Sequence, residues 1–111
     1  MTLRVLLVES DADDTLFVQE ALTEIEAGRY WSNWIRIETR YADTWAKAGA
    51  ILADEPLDLL LLDLNLVDTQ GADTFRRAQA AASQVPVILL TCAEHAELAA
   101  RLVREGAQDF P

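Results

Sequence analysis

Cysteine is almost missing from this chain. The one residue, Cys92, cannot form an internal disulfide, and a zinc site built on cysteines is excluded. The one histidine, His95, has no second histidine to join it and only the single Cys92 nearby, so a transition-metal centre is not indicated. Glycine is scarce as well: Gly28, Gly49, Gly71 and Gly106 stand far apart, which rules out a glycine-rich phosphate loop. Basic residues number 9 against 19 acids, a net charge of −10. That imbalance repels nucleic acid and anionic lipid, but it welcomes a metal cation. No apolar run approaches the roughly 20 residues that a membrane helix needs. The opening "MTLRVLLVESD" has acids close behind a short apolar run, a poor signal peptide and a good strand. A cytoplasmic protein is expected.

What the chain does have is apolar surface and a regular alternation. About half of its 111 residues are hydrophobic, enough for one compact domain with a core. "LRVLLV", Leu3 to Val8, is rich in strand formers, and in the helical stretch after it Val18, Ala21, Leu22 and Ile25 form a stripe. Asp11 and Asp13 are cap-grade residues at its start; Asp13 and Asp14 are favourable charges at a helix N-terminus. "WIRIETR", Trp34 to Arg40, reads as the second strand. Asp43 is expected to cap a second helix with Trp45, Ala48, Gly49 and Leu52 on one face.

"LDLLLL" is apolar without alternation, the pattern of a strand buried on both faces of a parallel sheet. Gly71 opens a third helix with Ala72, Phe75, Ala78 and Ala82 inward. "VPVILL", Val85 to Leu90, is the fourth strand, "EHAELAARLVRE" the fourth helix, and "AQDF" the start of a fifth strand. Such alternation implies βαβ units with right-handed crossovers, hence a doubly wound parallel α/β sheet. Tyr30, Trp31 and Trp34 are read as a loop covering the sheet edge rather than as a partner-binding patch.

In open α/β sheets the working residues gather at the carboxyl ends of the central strands. Strand one ends at Glu9, Ser10 and Asp11, strand three at Asp63 with Asn65 just beyond, strand four at Thr91 and Cys92. If strands one and three are neighbours, Glu9 and Asp63 share a pocket. Two adjacent carboxylates repel, so one takes up a proton or the pair holds a cation. Magnesium suits such a site, since it needs one or two carboxylates and leaves room for water and phosphate oxygens. A carboxylate can also act as a nucleophile toward phosphorus, giving an aspartyl phosphate, and the Thr91 hydroxyl could bond the new phosphoryl oxygens.

"VLLVES", "DLLLLDLNL", "PVILLTC" and "REGAQDF" resemble, in order and spacing, the receiver domain of bacterial two-component response regulators, the CheY-like family. The likeness runs along essentially the whole chain. It implies a flavodoxin-like fold with five strands in the order 2-1-3-4-5. It makes Asp63 the phosphoacceptor, Thr91 the switch hydroxyl and Phe110 the switch aromatic. The metal ligands would be Glu9, Asp63 and the backbone carbonyl of Asn65, with Ser10 or Asp11 as further candidates. The implied cofactor is Mg²⁺. The implied partners are a histidine kinase or histidine phosphotransfer protein as donor, and an output domain or partner protein under control; self-association stays open. The module would signal rather than act as an enzyme.

Three positions depart from that pattern. Ser10 stands where the family has a second acid, so weak magnesium binding is expected. No lysine follows Lys47, and the chain ends about two residues before the lysine that contacts the phosphoryl group in the family. The final helix is missing too, so residues 1–111 are expected to be one receiver domain truncated at its C-terminus. Val67 replaces a common proline. Two rival readings remain: a degenerate receiver acting as an interaction module without phosphorylation, favoured by Ser10, and a small flavodoxin-like binding protein or hydrolase, which lacks the loop and nucleophile it would need. Asp68 with Gly71 is read as a turn signal without chemistry, Cys92 as a small buried filler, His95 as solvated surface, and Arg76 and Arg77 as a polar helix face.

Overall fold

The computed structural model describes residues 2–26, 36–82 and 84–90. Within them the chain alternates β1 (Thr2–Val8), α1 (Ala12–Glu26), β2 (Arg36–Ala42), α2 (Trp45–Asp54), β3 (Leu59–Asp63), α3 (Ala72–Ala81) and β4 (Val87–Leu90). The four strands form one parallel sheet in the order β2-β1-β3-β4. This is the expected doubly wound, flavodoxin-like order. The expected fifth strand, the fourth helix and the aromatic loop of Tyr30, Trp31 and Trp34 lie outside the described residues.

The unbroken leucines of β3 serve both faces of the sheet. Leu60 and Leu62 join Leu6, Val8 and Leu89 in a core with Ala48 of α2 and with Phe75 and Ala78 of α3. Leu61 joins Val5 and Leu7 on the opposite face, where Val18 and Leu22 of α1 pack. A strand covered twice has no face for polar residues, which is why its sequence does not alternate. At about 25 cal/mol per Å², full burial of one such leucine stabilises the fold by roughly 1.5–3 kcal/mol.

Local details differ from the expectations. β2 runs to Ala42 rather than Arg40, because β1 continues to pair with it as far as Val8 opposite Ala42. Ala21 of the α1 stripe is exposed; Val18 and Leu22 make the contact with the sheet. Asp43 does not cap α2. Thr44 does: its extended backbone leaves the hydroxyl to accept the Lys47 N–H at 3.2 Å. Asp43 instead pairs with the Lys47 ammonium at 2.9 Å.

Candidate functional site

The sheet register places the acids. Val8 lies opposite Leu62 in the β1–β3 ladder, so the next residues, Glu9 and Asp63, emerge side by side at the carboxyl ends of the two central strands. Glu9 is anchored by its backbone N–H, which donates to the Ala42 carbonyl at 3.0 Å, and the residue is only 8% exposed. Burial, then a side-chain hydrogen bond with Asp63, push the Glu9 carboxyl up from 4.5 to about 8; the Asp63 and Asp14 charges add to this, and the Asp11 N–H opposes it. The protonated form of Glu9 is thereby favoured beside Asp63.

Asp63 is half-buried at the strand tip, and its Oδ1 also accepts the Asn65 N–H at 3.0 Å. β4 sets Leu90 beside Asp63. The next residue in the chain is Thr91; both Thr91 and Phe110 lie outside the described residues, as does Cys92.

The neighbours of Glu9 turn elsewhere. The Ser10 hydroxyl donates to the Asp43 carbonyl at 2.8 Å, across the β1–β2 junction. Asp11 Oδ1 accepts the N–H groups of Asp13 and Asp14 at 2.8 and 3.0 Å, closing the N-terminus of α1. Among the described residues, no three of His, Cys, Asp and Glu converge in a metal-binding group. The oxygen donors at the strand tips are thus two carboxylates and the chain beside them. That set lies within what magnesium requires, and a dication there would offset the Asp63 charge that helps to raise the Glu9 carboxyl.

Beyond Asp63 the chain folds into a short, tightly bonded loop. An antiparallel bridge joins Asn65 to Gln70, and the Leu66 N–H donates to the Thr69 carbonyl at 3.0 Å. The Gly71 N–H and the buried Thr74 hydroxyl both donate to the Leu64 carbonyl, at 2.8 and 2.9 Å. Gly71 has φ 66° and ψ −141°, a backbone region that side chains disfavour. From its sequence neighbours Asp68 reads as a turn residue alone. In the structure its two carboxylate oxygens also accept the N–H groups of Trp45 and Ala46, at 2.8 and 3.0 Å, so the loop supplies a cap to α2. These bonds hold the Asp68 carboxyl below the usual carboxylate range. Nothing local signals a contact spanning 23 residues.

A paired acid at the tips of the central strands of a 2-1-3-4 sheet defines a class, and the comparisons agree with it. The chain matches the family described as the response regulator receiver domain over residues 5–110, and it belongs to that family. It is 33% identical over 107 residues to the response regulator protein PilR of Pseudomonas aeruginosa, covering 96% of this chain and 22% of that protein. It is 31% identical over 108 residues to the swarming motility regulation protein RssB of Serratia marcescens, covering 97% of this chain and 45% of that protein. The chain thus spans less than half the length of either relative. The signal receiver domain of a Luxo repressor protein from Vibrio parahaemolyticus superposes with a TM-score of 0.78 at 24% identity, over 99% of this chain and 77% of that one, a likeness of fold.

Proposed function

We propose that this receiver domain accepts a phosphoryl group on Asp63, with magnesium, and changes conformation to control an output domain or partner protein. The observation that carries the proposal is the hydrogen-bonded Glu9–Asp63 pair at the tips of β1 and β3. The raised Glu9 carboxyl favours its own protonated form, which leaves an Asp63 oxygen to attack phosphorus. A bond forms from that oxygen to phosphorus, and the bond from phosphorus to the donor breaks with its electron pair leaving on the donor. Magnesium, when bound, would neutralise charge on the phosphoryl oxygens. Glu9, Asp63 and the Asn65 carbonyl are the residues proposed to hold it. Ser10 and Asp11 contribute less, given where their side chains are engaged.

Thr91 is proposed as the hydroxyl that meets the phosphoryl group, and Phe110 as the aromatic that repacks in response. The result is a shift of population between two states. A histidine kinase or histidine phosphotransfer protein is the proposed donor, in the cytoplasm. The test is incubation with acetyl phosphate and magnesium followed by intact-mass measurement. One added phosphate, lost in Asp63→Ala, is expected. No added mass on the full-length protein would leave a receiver that works without phosphorylation.

A further inference from the structure

The Asp63 loop and α2 are joined in a way that the phosphoacceptor role does not require. Between Asn65 and Gln70 the loop is cross-bonded by the antiparallel bridge and by the Leu66–Thr69 hydrogen bond, which tie its two arms together. Its root is the Asn65 N–H, which donates to the Asp63 carboxylate itself. At its far end is Asp68, with both oxygens on the first two N–H groups of α2. The same junction is tied from the other side of the acid pair by the Ser10 hydroxyl on the Asp43 carbonyl.

We infer that Asp68 is a positioning residue that couples chemistry at Asp63 to α2, so that modifying Asp63 loosens the N-terminus of this helix. The physical route is short. A phosphoryl group on Asp63 changes the charge and the shape of the acceptor that the Asn65 N–H uses. The cross-bonded loop shifts with its root, and the Asp68 carboxylate is displaced from the Trp45 and Ala46 amides. Two helix N–H groups then lose their partner, and the first turn of α2 opens more often. By reciprocity, the hold of Asp68 on α2 biases the state of the loop around Asp63.

This inference rests on Asp63 as the phosphoacceptor, and one experiment separates the two. Amide hydrogen exchange of Trp45 and Ala46 is followed in the full-length protein with and without acetyl phosphate plus magnesium, with phosphate occupancy read by intact mass. Exchange is expected to rise about tenfold on phosphorylation. In Asp68→Ala it is expected to be fast already and to change no further; Asp68→Asn, which keeps a single acceptor oxygen, should lie between. A mere structural cap would speed exchange in Asp68→Ala but leave its response to phosphate intact, and that result overturns the coupling. So does phosphorylated wild-type protein with unchanged exchange. Failure to take up any phosphate overturns the role of Asp63 and the coupling with it.

Discussion

Glu9 and Asp63 emerge side by side at the ends of β1 and β3, and burial together with its bond to Asp63 raises the Glu9 carboxyl. A buried acid of this kind makes folding sensitive to pH in an unusual direction. Its folded value, about 8, lies above the ordinary 4.5. The folded state therefore binds more protons than the unfolded chain between those values. The stability this contributes is fully present below the lower value, is lost as pH rises toward the upper one, and changes no further above it. Urea unfolding is expected to show falling stability from about pH 5 to about pH 8 from this group. Glu9→Gln keeps a hydrogen-bond donor without a titrating carboxyl, so it should flatten that slope and exceed the wild type in stability in the alkaline range. An unchanged slope in Glu9→Gln would show that the proton resides elsewhere.

Magnesium, bound as proposed, would compete with the proton of Glu9 for the same place. Binding of the cation near neutral pH is expected to release about one proton, because a ligating carboxylate must be deprotonated. Isothermal titration in two buffers of different ionisation enthalpy reads this directly as a difference in heat. Removing the metal with a chelator should reverse it. Glu9→Gln should bind magnesium more weakly and with equal heats in both buffers. Equal heats in the wild type would rule out Glu9 as a ligand.

Much of this architecture is legible in the residues alone, for a physical reason. Leu59 to Leu62 cannot alternate when both faces of their strand are covered, so the run itself signals a central parallel strand. Glu9 and Asp63 are placed by strand order, which the alternation of strands and helices restricts strongly. What resists such reading is set by partners distant in sequence. β2 ends at Ala42 because β1 carries the pairing that far, and its own residues do not mark the end. Asp43 and Thr44 are both cap-grade, and the local backbone chooses between them. Asp68 looks like turn chemistry from its neighbours, and only the fold brings it to α2. The raised Glu9 carboxyl depends first on burial, which no local spacing encodes.

Gly71 ends the Asp63 loop with φ 66° and ψ −141°. A β-carbon at that position disfavours the conformation by about 1–3 kcal/mol. Gly71→Ala is thus expected to lower the stability of the domain by that amount, measured by chemical unfolding. The loop should also become more open to proteolysis near Val67, which is already exposed at its tip. Full stability in Gly71→Ala would mean that the loop relaxes to another path without cost.

Thr74 tests the other support of the same loop. Its side chain is fully buried, and its hydroxyl reaches back from α3 to the Leu64 carbonyl, one residue past Asp63. Thr74→Val preserves shape and removes only the donor. The Leu64 carbonyl keeps the Gly71 N–H as a partner, so it is not orphaned. The expected loss is therefore near the low end for a buried hydrogen bond, about 1 kcal/mol. Thr74→Ser restores the donor but leaves a small void, and should recover hydrogen-bonding geometry while losing packing. If the hydroxyl positions the start of the loop, Thr74→Val should slow phosphate uptake from acetyl phosphate more than Thr74→Ser does, although Ser lacks the buried methyl. The opposite order would show that packing against α3, and not the bond to Leu64, holds the chain beside Asp63.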